Sequence, residues 1–155
     1  MQDTGDKGFA GGAAKKATPA IYVKKLIISP PLTPPDMADI AALEQILNEL
    51  EQVDGVTNAV LVSRSGMHIA GKVPEGAHPE TFVAMFAILL GAAETATSEL
   101  KDQLGSVVLN LGNTKMAIIN DGPKALFVLR LKKEANVELI AKETVVFSKK
   151  MEEYL

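Results

Sequence analysis

Residues 50–70 read LEQVDGVTNAVLVSRSGMHIA, and the order of signals in this stretch decides the fold. Leu50 closes an apolar helical pattern, Gly55 stops it, Val56 to Ser63 is aliphatic and β-branched, and Arg64-Ser65-Gly66 is a tight-turn signal. An apolar pattern then resumes at Met67 and runs to Val73, so a helix is expected to feed a two-stranded hairpin. Upstream, Ile40, Leu43, Ile46, Leu47 and Leu50 recur at three- and four-residue steps opposite Asp39, Glu44, Asn48 and Glu51. That spacing puts one apolar stripe on a first helix. Thr33-Pro34-Pro35-Asp36 gives it a start, with Thr as N-cap, proline at the first position and an acid in the first turn.

Downstream, Pro74 and Gly76 break the second strand, and Pro79 to Gln103 is the longest helical stretch, ended by Gly105. Ser106–Leu111, Lys115–Asn120 and Lys124–Lys132 read as three strands, separated by Gly112-Asn113-Thr114 and Asp121-Gly122-Pro123. Asn136 is positioned to cap a last amphipathic helix carrying Val137, Ile140, Ala141, Thr144, Phe147, Ser148 and Met151. The order is α-β-β-α-β-β-β-α. Hairpins link strands 1–2 and 3–4–5, and a helix crosses between the two groups, so the fold class is α+β with a central five-stranded antiparallel sheet. Strands 4 and 5 are apolar on both sides, Ile118 and Phe127 against Ile119 and Val128, which requires helices on both faces.

The chain has 155 residues and a mean hydropathy of +0.15, enough for one domain with a core. Residues 1–35 carry 5 Lys and 2 Asp, a net +3, against −6 for 36–155. That step separates an N-terminal arm (1–35), expected to be flexible with a short candidate strand at 21–28, from a domain at 36–155. In the arm, Gly11-Gly12-Ala13-Ala14-Lys15 is glycine-rich before a lysine but lacks the phosphate-loop spacing.

The composition is also restrictive for chemistry. There are no cysteines and only two histidines, His68 and His78, which removes thiolate metal sites and cysteine nucleophiles and leaves little for histidine catalysis. His78 precedes Pro79 and reads as a helix cap, and His68 points away from the Met67/Ile69 side of strand 2. His68, His78, Glu75 and Glu80 match no ligand spacing, Asp54 and Asp121 belong to turns, and few aromatics are present to line a sugar cleft. We expect no enzyme, cofactor or metal. A net charge of −3 argues against nucleic acid, and the twelve-residue apolar run Phe82–Ala93 is shorter than the roughly 20 residues that span a bilayer. The acidic start, unlike a signal peptide, makes the cytoplasm the expected location.

The central helix is the informative element. At 100° steps, Phe82, Met85, Phe86, Leu89, Ala93, Ala96, Leu100 and Leu104 form a broad stripe expected to face the sheet, widened by Val83, Ile88 and Leu90. Opposite it, Ala84, Ala87, Gly91, Thr95 and Ser98 form a heptad-like seam of small residues. A helix apolar all round needs cover all round, and a second copy across a two-fold axis is the economical cover. Strand 3 carries no proline or inward lysine as an edge guard, so Val107 and Leu109 join the expected dimer interface, with two sheets merging into one.

The stretch Leu50 to Ala70 resembles the signature of the roadblock/dynein light chain family: a helix-ending leucine, a glycine–valine entry to strand 1 and a residue–glycine turn into strand 2. The likeness extends more loosely through the alanine-rich helix, Leu104-Gly105 and the meander to the last helix, covering 36–155. It implies a homodimer, or a heterodimer with a paralogue, with a continuous sheet and paired second helices. It also implies a surface that acts on small Ras-like GTPases, as activator or scaffold, or that attaches to cytoskeletal motors. A prokaryotic GTPase-partner protein is the version expected here. No catalytic signature accompanies the pattern, and no family residue is carried over. The alternative is a ligand-sensing module of profilin-like, PAS-like or GAF-like architecture, which needs a buried pocket with convergent polar groups.

Overall fold

The computed structural model describes residues 37–155. Its elements are α1 (Met37–Leu50), β1 (Val56–Ser63), β2 (His68–Gly71), α2 (Pro79–Ser98), β3 (Ser106–Asn110), β4 (Thr114–Asp121), β5 (Ala125–Lys132), α3 (Val137–Met151) and a closing 3-10 turn (Glu152–Tyr154). The arm 1–35, its candidate strand at 21–28 and the capping sequence Thr33 to Asp36 lie outside the described residues.

The order is the expected one, and the fold is α+β. All strand pairs are antiparallel in one five-stranded sheet ordered β2-β1-β5-β4-β3. The hairpin and meander turns pair neighbours in sequence, while β1 is joined to β5 by long-range pairing from Val56↔Leu131 to Ser63↔Ala125. In the first turn, Ser63 N–H donates to the Met67 carbonyl at 2.8 Å and Gly66, at φ +90°, takes the left-handed position. The β1–β2 register shifts between Leu61 and Val62.

The sheet separates two cores. On one side α1 and α3 bury Leu43, Leu47, Leu50 and Ile140 against Leu61, Ile119, Phe127, Leu129 and Leu131. On the other, α2 alone buries Val83 and Leu90 against Val60, Val62, Met116, Ile118, Leu126 and Val128. Each fully buried aliphatic or aromatic side chain contributes about 1.5–3 kcal/mol of transfer free energy. Helices therefore cover both faces, as the two-sided strands required. The pairing is Ile118↔Val128 and Ile119↔Phe127, so the two sides of strands 4 and 5 are grouped differently from the sequence reading.

Two element ends differ by more than one residue. β2 stops at Gly71 rather than Val73, because Gly71 sits at φ +90° with its missing Cβ position 2.5 Å from the Ala59 carbonyl. α2 stops at Ser98 rather than Gln103. There, Thr95, Thr97 and Ser98 hydroxyls donate to carbonyls three or four residues back, and Lys101 turns to φ 55°.

Candidate functional site

The side of α2 that meets the sheet is set by Val83, Ala87, Leu90, Glu94 and Thr97, spaced 4, 3, 4 and 3. Val83 and Leu90 are buried, and Arg64 at the hairpin turn reaches Glu94 at 2.5 Å and Asn120 at 3.1 Å. This places the helix differently from the expected stripe. Met85 is 56% exposed, Ile88 61% and Leu100 72%, so these three do not face the sheet. Phe82, Phe86 and Leu89, on one flank, do join the core under α2, where Val107 and Leu109 of β3 also pack. The two phenylalanine rings lie 4.7 Å apart, tilted.

The small-residue seam is split by this orientation. Ala84 and Ala87 lean on the hairpin turn, with the Ala84 Cα 3.3 Å from the position a Gly66 Cβ would take. Their smallness is explained within one chain. Gly91 is different, since a Cβ built there meets nothing within 4 Å among the described residues. Thr95 and Ser98 are exposed and bond only to helix carbonyls. β3 is an edge of the sheet, as the strand reading anticipated, with Val107 and Leu109 half-buried and Val108 open on its other side.

By length and composition α2 is the one helix among the described residues that could cross a bilayer. Its inner side seals the core, however, and its ion pair to Arg64 ties it to the hairpin. The result is a helix with one side spent on its own sheet and an outer side of Met85, Ile88, Gly91, Ala92, Thr95 and Ala96 facing outward.

The histidines sit where helix and strand chemistry put them. His78 caps α2, its Nδ1 accepting from the Thr81 N–H at 3.4 Å, as the sequence indicated. His68 is exposed on β2, with Nε2 2.5 Å from the Gly71 carbonyl. Asp121 is the polar residue that turn chemistry did not reveal. It is 6% exposed, one carboxylate oxygen accepts from the Ser148 hydroxyl of α3, and the other has no hydrogen-bond partner among the described residues. Burial, with the nearby Glu152 charge, pushes its carboxyl above the usual range despite the Ser148 bond.

An open groove of about 1010 Å3 runs between β3 and α3, lined by Val108, Ile119, Val137, Ala141 and Val145 with Lys142 and Lys149 at its rim. Its lining also includes Ser106, Asn120, Glu138, Thr144, Ser148 and Glu152.

The Roadblock/LC7 domain matches residues 42–131 of the chain. An uncharacterized protein of Methanocaldococcus jannaschii is 30% identical over 88 residues, covering 56% of this chain and 75% of that relative. Among solved structures, MglB in a tetrameric arrangement superposes with a TM-score of 0.68 at 22% identity, covering 81% of this chain and 98% of that one. The gliding protein MglB of Thermus thermophilus gives 0.66 at 19% identity, with 78% and 93% covered. A Roadblock/LC7 domain from Streptomyces avermitilis gives 0.63 at 18% identity, with 72% and 95% covered.

Proposed function

The chain belongs to the Roadblock/LC7 domain family, and on that premise we propose that it is a non-catalytic, dimeric, cytoplasmic platform that binds and regulates a small Ras-like GTPase, as activator or scaffold. The observation that carries this reading is the pairing of an uncovered apolar side of α2 with an unguarded β3 edge on the same domain. An exposed apolar patch of this kind marks an interaction surface. A second copy, or a paralogue, that pairs β3 edges antiparallel extends the sheet and brings two α2 helices together above it. The interface we propose uses Ala84, Ala87, Gly91, Thr95 and Ser98 of α2 and the β3 edge at Val107 and Leu109. The tetrameric arrangement of the MglB neighbour supports self-association through this fold.

The test is co-elution of the purified chain with small Ras-like GTPases from the same source, loaded with GTP or GDP, followed by single-turnover GTP hydrolysis. Nucleotide-dependent co-elution is expected, with faster hydrolysis marking an activator and an unchanged rate a scaffold. Stabilisation of the free chain by a metabolite, with no GTPase bound in either nucleotide state, contradicts the reading and favours ligand sensing.

A further inference from the structure

We propose that the ion pair between Arg64 and Glu94 is the rotational key of α2: it selects which side of the helix faces outward and thereby controls self-association through that side. The inference rests on the reading of the domain as a dimeric platform and names the residues that set its geometry. Two seats compete for the helix. The stripe centred on Met85, Leu89, Ala93 and Ala96 would face the sheet if apolar burial alone chose the rotation. The observed seat is turned from it by about one residue, roughly 100°. Val83, Leu90 and Glu94 point inward, and Met85, Ile88, Ala92 and Thr95 are exposed. Burial is non-directional, and α2 has apolar residues enough for either seat. A charge-assisted hydrogen bond is directional, and Glu94 is the one charged residue of α2 beyond its first turn.

Arg64 is placed to hold that carboxylate. Its backbone N–H donates to the Lys124 carbonyl at 3.0 Å, pinning the hairpin turn to the start of β5. Its guanidinium divides between Glu94 at 2.5 Å and Asn120 of β4 at 3.1 Å. Both side chains of the pair are 32% exposed, sheltered enough that an unpaired Glu94 in this seat carries a desolvation cost. Two residues on, a Cβ at Gly66 would lie 3.3 Å from the Ala84 Cα, so the same turn sets both the distance and the rotation of the helix.

Peroxide oxidation of Met85 reads the rotation. The thioether sulfur takes one oxygen from hydrogen peroxide and water leaves. The sulfoxide is followed by peptide mass spectrometry on dilute, dissociated chain, with Met37 of α1, 87% exposed, as internal reference. In Arg64→Leu, two equally populated seats lower the Met85 rate relative to Met37 by about twofold. Both copies must present the outer side, so the dimer dissociation constant rises about fourfold by sedimentation velocity. Glu94→Gln reaches the pair from the helix and is expected to give the same shifts, should Arg64→Leu fail to fold. The exchange Arg64→Glu with Glu94→Arg is expected to recover both readouts, which a loss of packing alone would not allow. An unchanged Met85 rate in a folded single variant overturns the proposal, as does an unchanged dimer constant or an exchange that fails to recover both. A parent chain that stays monomeric overturns the platform reading and with it the control of association, while the Met85 rate still decides the rotation.

Discussion

Gly91→Ala gives a thermodynamic reading of what touches the uncovered side of α2. In the isolated domain the new methyl meets no heavy atom of another element within 4 Å among the described residues, so no contact there opposes the gain in helix propensity. That gain is about 0.8–1 kcal/mol, worth roughly 3–5 °C in melting temperature for a domain of this size. The carbonyl of Gly91, which accepts from the Thr95 hydroxyl at 3.0 Å, is untouched by the change. At dilutions where the chain is dissociated, the alanine variant should therefore melt higher than the parent. Gly91→Leu puts a branched chain at the same point, and against a closely packed second copy it is expected to break the dimer while leaving helical circular dichroism intact. Thermal denaturation at sub-micromolar concentration and light scattering at high concentration read the two effects separately. A lower melting temperature for Gly91→Ala in the dilute protein would refute the open surroundings of Gly91. An unchanged dimer mass for Gly91→Leu would remove this part of the seam from the interface.

Other perturbations address the scaffold. Gly71→Ala forces an L side chain to φ +90° and places its Cβ 2.5 Å from the Ala59 carbonyl, so urea denaturation should show a loss of roughly 2–4 kcal/mol. Leu90→Ala empties a buried position under α2 and is expected to cost about 2–5 kcal/mol by the same assay. Asp121 has a carboxyl raised by burial, so whatever stability its protonated form gives is present at low pH and lost as pH rises through its titration. The parent should thus lose stability relative to Asp121→Asn between acidic and neutral pH, and parallel curves would show that the carboxyl is not perturbed. Deleting residues 1–35 is expected to leave a cooperatively folded 36–155 domain, and a large fall in melting temperature would show that Ile21–Ile28 belongs to the sheet.

The elements were legible because each carried one period and one stop. α1 shows a single stripe ending at Leu50, and all its core residues from Leu43 onward are buried. The meander is punctuated by turns that permit little else. The orientation of α2 was not legible for a physical reason: a helix apolar on nearly every side has no stripe that fixes its rotation about its own axis. Met85 and Leu100 were placed inward by periodicity, and the packing of Val83 and Leu90 turned them out. The alanines at 84 and 87 looked like a seam for another chain, yet their size answers to the hairpin turn at Gly66. That contact joins residues about twenty positions apart, which a helical wheel does not contain. Asp121 was hidden by its own motif, since an Asp-Gly-Pro turn explains the residue without the Ser148 partner that buries it. The β3–α3 groove combines a strand edge with a helix flank, and it exists only once β4 has set the distance between them.

The central claim is that the outer side of α2 and the edge of β3 are covered by another molecule, first of all a second copy. Light scattering of the full chain across low to high micromolar concentration tests it most directly. The expected result is a mass approaching twice the 16.5 kDa of the chain. A mass that stays at the single-chain value throughout would contradict the account.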